Sequence, residues 1–254
     1  MHSDGPVNVY PPRWFAAFLG RVDPQIIATE VEFLERVLPQ PAFRVVLDLC
    51  CGVGRHAIPL SASGYSVIAL DRDALALDVV RQASRGRDRC GPETVLGDMR
   101  ALPVRSSSLD AIICMWQSFG YFDTHTNRAV LADCVRALRP GGRLIVDLYH
   151  RAYYELTVGT RRILRGETEI SEIRAVEGER LHVTLTYGGT AGYDAREKTD
   201  ELDWHLYSAD ELAADAVTVG LQLVLSCTEF DEARSPTSDD PRMQLVFART
   251  ARNH

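Results

Sequence analysis

Three aspartates, Asp48, Asp71 and Asp98, each close a short apolar run, in "VVLD", "VIALD" and "TVLGD". The first is followed by Cys50-Cys51-Gly52-Val53-Gly54, which leads into "RHAIPL". Gly52, Gly54 and Ala57 satisfy G-x-G-x-x-A, a loop through which a backbone can approach a diphosphate. Asp48 argues against that use, because a carboxylate at the strand end disfavours an incoming pyrophosphate. Asp71 stands at the end of the next run, where a carboxylate can accept hydrogen bonds from ribose hydroxyls. Carboxylates at the C-terminal ends of three successive parallel strands line one crevice. Such a crevice suits a ligand that carries a ribose, an amino donor and positive charge.

The elements that must hold these residues are legible in the apolar pattern. Ile27, Val31, Leu34 and Leu38 share one helical face within residues 24–38. "FRVVLDLC" reads as a buried strand and "RHAIPLSASG" as a helix stopped by Gly64. "YSVIALD" and "DALALDVVRQAS" repeat the strand and helix, and "PETVLGD" is a short third strand. "LDAIICMW" is apolar almost throughout, as expected of a strand covered on both faces. A helix from Asp123 to Leu138, ended by "RPGG", and the strand "RLIVDLY" complete the alternation. This order predicts a doubly wound, mostly parallel sheet. From 151 to 206 the texture changes to β-branched residues, Gly turns and alternating charge, which predicts an inserted antiparallel β lid. Ser208 and Glu211 then form a capping box, the helix runs to Gly220, and two strands close a seven-stranded sheet. The organisation is an N-terminal arm with helices over 1–39, a core over 40–150, the lid over 151–206, and a C-terminal helix with strands over 207–254.

A chain of 254 residues with 46% hydrophobic content is large enough for such a core. Its formal charge of −7 argues against sequence-independent binding to nucleic acid or anionic lipid. Arg161, Arg162 and Arg165 read as solvated strand-edge charge. No apolar run is long enough to span a membrane, and "MHSDGPVNVYPPRW" lacks a secretory pattern. Six cysteines without a C-x-x-C pair fit reduced thiols and predict a cytoplasmic protein. The histidines have no metal-ligand spacing, so no metal is expected. Oligomeric state is left open.

In the order in which they occur, these stretches resemble the motifs of class I S-adenosylmethionine-dependent methyltransferases. "VVLDLCCGVGRHA" is similar to their first motif, D-x-G-x-G-x-G, with Cys50 at the first glycine. A cysteine still permits close backbone approach but is strained at positive φ. "VIALDRD", "LGDMRALPV", "LDAIICMWQSFGYF" and "LRPGGRLIVDLY" resemble the later motifs, over most of residues 40–150. The resemblance implies a Rossmann-like methyltransferase fold with S-adenosylmethionine as cofactor and S-adenosylhomocysteine as product. It implies that Asp48 lies near the methionine ammonium and that Cys50, Gly52 and Gly54 let the backbone approach. It further implies that Asp71, followed by Arg72, holds the ribose, that Asp98 and Met99 hold the adenine, and that Met115 and Trp116 border the methionyl part.

For the acceptor side, Tyr10, Trp14, Phe119 and Tyr149 are expected to face the substrate, and Tyr121 and His150 are the catalytic candidates. "CMWQSFGYF" resembles the segment of small-molecule N-methyltransferases, amino-sugar enzymes among them, in which a polar aromatic position faces the acceptor. With a pKa near 10, Tyr121 suits orienting an acceptor better than deprotonating it. His125 and His56 read as helix-start residues. The [D/N/S]-P-P-[Y/F] tetrad of adenine and glutamine-amide methylators is replaced by "WQSFGY". The expected activity is methyl transfer to an N or O atom of a small molecule. Alternatives are a methyltransferase acting on RNA or protein, and a non-catalytic binder of the same cofactor.

Overall fold

The computed structural model describes residues 8–20, 22–85, 91–188 and 198–250. Cys90 and residues 189–197 of the expected lid lie outside the described residues. The chain opens with a short helix α1 (Pro12–Trp14) that continues as a π-helical turn, Phe15–Leu19. Helix α2 (Pro24–Val37) follows, capped by Asp23, whose carboxylate accepts from Gln25 N at 2.9 Å.

The core then alternates β1 (Val45–Leu49), α3 (Ala57–Ala62), β2 (Ser66–Asp71), α4 (Ala74–Ser84), β3 (Glu93–Leu96), β4 (Leu109–Cys114), α5 (Thr124–Ala137) and β5 (Leu138–Tyr149). Next come α6 (Arg151–Leu156), the strands β6 (Gly159–Arg165), β7 (Thr168–Glu177), β8 (Arg180–Tyr187) and β9 (Lys198–His205), then α7 (Ala209–Val219), β10 (Leu221–Cys227) and β11 (Arg242–Arg249).

Seven strands form one sheet in the order β10-β11-β5-β4-β1-β2-β3, parallel except for β11, which runs antiparallel to both neighbours. Strand β4 sits near the middle and is buried at every position, as its continuous apolar character predicts. Side chains alternate between two cores. Val46 and Ile113 face α2, α3 and α4, while Leu47 and Ile112 face α5 and α7. The parallel register pairs Leu49 with Leu70 and Asp71 with Leu96, which brings the C-terminal ends of β1, β2 and β3 to one edge.

Strands β6 to β9 make a separate antiparallel sheet. Its apolar face, with Ile170, Leu181, Val183, Leu202 and Trp204, packs on Tyr10, Trp14 and Phe18 of the N-terminal turn and on Tyr121 and Tyr149 of the core. The Ser208–Glu211 capping box is present, and Gly220 ends α7 in the left-handed conformation.

Two local expectations are corrected. Residues 151–156 form helix α6 and not a strand. Tyr153 and Tyr154 favour strands, but Tyr154 is buried against Tyr149, and Arg151 pairs with Glu211 of α7. "RPGG" does not separate helix from strand, since β5 begins at Leu138 and carries the turn as an irregularity opposite Leu109 and Ala111. Gly142 is required there, because a Cβ would sit 2.9 Å from Arg139 O. Among the described residues, no helix is long and apolar enough to cross a membrane.

Candidate functional site

A cavity of about 750 Å³ opens where the C-terminal ends of β1 to β4 meet the β6–β9 sheet and the N-terminal turn. One end is acidic and one is aromatic. Asp48, Asp71 and Asp98 line the acid end. Asp48 is buried, and its Oδ2 has no hydrogen-bond partner. Burial pushes its carboxyl up to about 7; nearby Arg55 opposes the rise and Asp71 adds to it. An orphaned buried carboxylate oxygen fits a ligand cation bearing N–H donors.

Asp71 is set by its own loop. Its Oδ2 accepts from Gly52 N at 2.7 Å and its Oδ1 from Asp73 N at 2.9 Å. Each oxygen keeps acceptor capacity for hydroxyl groups. A Cβ on Gly52 would have nothing within 4 Å, so the loop leaves open space where a ligand can approach. Gly54 serves packing, since a Cβ there would lie 2.9 Å from Val80 Cγ2 on α4. Cys50 adopts φ 62°, the strained geometry its type makes costly, and its thiol contacts Met99 Sδ at 3.8 Å. The Arg100 fork holds the Asp98 carboxyl below its usual range, with Nε at 3.0 Å and a terminal nitrogen at 2.7 Å. Arg72 donates to Asn8 O, tying the N-terminal arm to the end of β2.

Beneath the acid end lies a buried ionic network. Glu30, wholly buried on α2, accepts from Arg55 at 2.6 Å, from His56 Nε2 at 2.9 Å and from Trp116 Nε1 at 2.8 Å. Burial opposes its charge, but His56, Arg55 and Arg242 overcome that and bring its carboxyl down to about 2. Trp116 and Gln117 both have φ 54°, a conformation costing about 1–3 kcal/mol each. Asp147 holds that backbone: its Oδ2 accepts from Trp116 N and its carbonyl from Gln117 N, both at 2.9 Å. Arg242 in turn pairs with Asp147.

At the aromatic end the hydroxyls of Tyr10 and Tyr121 lie 3.3 Å apart. Tyr10 packs on Trp14 at 4.4 Å between centroids, and Tyr149 on Trp204 at 5.2 Å. Burial pushes Tyr149 up to about 12 and raises Tyr10 and Tyr121 as well, so all three hydroxyls stay protonated near neutral pH. Gly120 has φ 95° and lies where a Cβ would be 2.8 Å from His205 O, while His205 N donates to Gly120 O at 2.7 Å. The end of β9 thus crosses directly over the loop that presents Tyr121.

Most of the expected site residues meet in this cavity: Asp48, Cys50, Gly52, Asp71, Arg72, Asp98, Met99, Met115, Trp116, Tyr10, Trp14, Tyr121 and Tyr149 all line it. Three do not. His150 lies off the cavity wall, with its Nδ1 bonded to Thr237 O at 2.8 Å. Phe119 is buried in the main core near Tyr207, and Gly54 faces α4. Trp116 reaches the cavity, but Arg55 stacks on its ring at 4.1 Å, so that face is already occupied by a cation. His56 starts α3 as expected yet is buried on Glu30. Glu30, Arg55 and Trp204 were not anticipated. Glu30 had a signal, since it falls on the apolar stripe that runs through Ile27, Val31 and Leu34. Among the described residues, no group of His, Cys, Asp or Glu is placed to hold a metal.

Residues 46–142 match the model of a methyltransferase domain. The chain is 31% identical over 156 residues to a glycine/sarcosine N-methyltransferase of Parasynechococcus marenigrum, covering 61% of this chain and 54% of the relative. It spans about half or less of the length of the curated relatives it matches. Among solved structures it is similar to an S-adenosylmethionine-dependent methyltransferase from Clostridium acetobutylicum, with TM-score 0.77 and 16% identity over 94% of this chain and 97% of that one. It is also similar to the S-adenosylmethionine-bound amino pentose methyltransferase of Micromonospora echinaspora from calicheamicin biosynthesis, with TM-score 0.67 and 21% identity over 96% of this chain and 99% of that one. The ordered strand-end acids and the sheet order agree with the match: residues 46–142 form a methyltransferase domain, on the fold shared with solved S-adenosylmethionine-dependent methyltransferases.

Proposed function

We propose that this chain transfers a methyl group from S-adenosylmethionine to an N or O atom of a small molecule, with the β6–β9 sheet as a lid over the acceptor. The observation that carries the reading is the division of one cavity into an acid end and an aromatic end. The acid end accounts for the cofactor. Asp48 would meet the methionine ammonium, Asp71 the ribose hydroxyls, and Asp98 with Met99 the adenine, while the open space at Gly52 admits the ligand. When bound, the cofactor supplies a methyl group already activated by a sulfonium.

The protein's part is then to position and to exclude water. Positioning alone is worth up to ~7–11 kcal/mol in well-oriented systems. Tyr121 and Tyr10, paired by their hydroxyls and kept protonated, orient the acceptor and do not take its proton. An amine acceptor therefore reacts as the free base, and its ammonium product sheds the proton to solvent on release. A hydroxyl acceptor must instead be ionised before transfer, so the pH dependence of turnover follows the acceptor's own pKa. The relatives named for glycine, sarcosine and an amino pentose support a small acceptor.

The test is release of S-adenosylhomocysteine from the purified chain offered a library of small amines and alcohols, with cell protein and RNA in parallel. Turnover confined to small molecules is expected. Turnover confined to protein or RNA would refute the small-molecule reading, and none in any arm despite cofactor binding would leave a non-catalytic binder.

A further inference from the structure

Trp204 is 5% exposed and lies on the wall of the aromatic end, and its indole Nε1 has no hydrogen-bond partner. A buried N–H without a partner is rare in folded proteins and calls for an explanation. The ring packs edge-on against Tyr149, and Trp204 on β9 sits opposite Leu181 of the neighbouring strand β8. Neither neighbour has an acceptor bonded to the indole.

The distribution of charge around the cavity supplies a second observation. The charged wall residues, Asp48, Asp71, Asp98, Arg55 and Arg72 among them, belong to the acid end. Arg55 is engaged by Glu30, and Arg72 by Asn8 O. Among the described residues, the part of the wall contributed by the N-terminal turn, the loop after β4, Tyr149 and β9 carries no charge. The buried cation of the lid, Arg174, shares Glu172 with Arg161 and stacks on Tyr154 at 4.7 Å, and neither arginine lines the cavity. A carboxylate or phosphate entering this end would lose its water without gaining a counter-charge. A neutral oxygen needs only one donor.

We propose that Trp204 is the specificity-determining donor of the acceptor site, and that it reads an uncharged oxygen (carbonyl, ether or hydroxyl) on a molecule with no carboxylate or phosphate at its inserted end. This rests on the small-molecule reading above and narrows it. Free amino acids such as glycine are then poor acceptors for this chain, and neutral amines that carry oxygen functions are good ones.

The test observes the indole directly. The full chain, labelled with 15N tryptophan and saturated with S-adenosylhomocysteine, carries three tryptophans and so three indole cross-peaks. Trp204→Phe identifies the peak of Trp204, and triple-resonance assignment does so should that variant not fold. The probes are matched neutral and anionic pairs: phenylacetamide and phenylacetate, and methyl glucoside and the anion of its 6-carboxylic acid, methyl glucosiduronate. The expected result is a Trp204 shift with at least one neutral member, bound about ten-fold or more tightly than its anionic partner. Trp204→Phe should abolish that preference and leave S-adenosylhomocysteine affinity within about two-fold by calorimetry. The proposal is overturned if no neutral probe moves the peak, or if the anions move it equally. Methylation of a small carboxylate bound through this end would also overturn it while leaving the small-molecule reading intact; turnover of protein or RNA alone would instead remove that reading.

Discussion

Asp48, Asp71 and Asp98 reach the cavity from three consecutive strands whose parallel register aligns them. Tyr10, Tyr121, Tyr149 and Trp204 reach it from four separated segments: the N-terminal arm, the loop after β4, the end of β5 and the last lid strand. The acid end uses backbone amides and fixed charge, and its geometry repeats with the strand. The aromatic end is assembled by packing of one sheet over another. A ligand common to many enzymes can be held by the repeating part, and a variable ligand by the part that packing can reshape. The contrast is mechanical too. On the proposed function, replacing an acid would remove a ligand contact, whereas replacing an aromatic of the β6–β9 sheet would reshape the acceptor space.

The largest expected effect tests whether the two ends share a foundation. Glu30 joins Arg55, His56 and Trp116 below the acid end. Glu30→Ala leaves buried cations without a counter-charge and should cost about 3–5 kcal/mol of stability in urea denaturation. A loss under about 1 kcal/mol would mean that the network is not structural.

The next effect separates the ends. Asp71→Ala should weaken S-adenosylhomocysteine binding by roughly ten- to a hundred-fold in calorimetry, given ~1.5–3 kcal/mol per hydrogen bond to a charged acceptor. Acceptor preference should not change. Equal affinities would make Asp71 a loop brace for Gly52 and Asp73 and nothing more.

Asp48 sharpens the same division through pH. Folding raises its carboxyl from the ordinary 3.8 to about 7, so its contribution to the ligand-free fold is full below pH 3.8 and lost as pH rises through 7. A cationic ligand reverses the preference, because only the ionised carboxylate attracts it. Affinity for S-adenosylhomocysteine should therefore rise about ten-fold from pH 6 to pH 8. Asp48→Asn should flatten that profile; an inflection that survives the substitution would assign it elsewhere.

The smallest effect belongs to the aromatic end. Tyr121→Phe removes the hydroxyl paired with Tyr10 and should lower turnover by about three- to ten-fold, with cofactor affinity within about two-fold. Wild-type turnover at saturating cofactor would reduce Tyr121 to a packing residue.

The same contrast divides what was legible in the sequence. Short apolar runs bounded by polar and glycine residues mark where each strand ends, and an aspartate at each end follows the strand to the sheet edge. Tyr10, Trp14, Tyr121 and Tyr149 were found by chain position. Phe119 was not distinguished from Tyr121, because positive φ at Trp116 and Gln117 turns the loop in a way that residue types do not announce. His150 follows β5 as Tyr149 does, yet it is drawn outward onto Thr237 by a loop far along the chain. Glu30 interrupts an apolar helical face, but its partners come from the loop after β1, the end of β4 and β11. Trp204 alternates inward with Leu202, though nothing local says what lies beneath it.

By itself, then, the sequence determined the alternation of strand and helix, the acid end and the presence of an inserted sheet, since each depends on periodicity within a few turns of chain. Tertiary structure decided which aromatic side chains meet, which histidines are withdrawn, and that Glu30 and Trp204 belong to the site. Those outcomes depend on side-chain direction and on contacts between segments more than a hundred residues apart, Tyr10 with Tyr121 and Glu30 with Arg242, which no local pattern encodes.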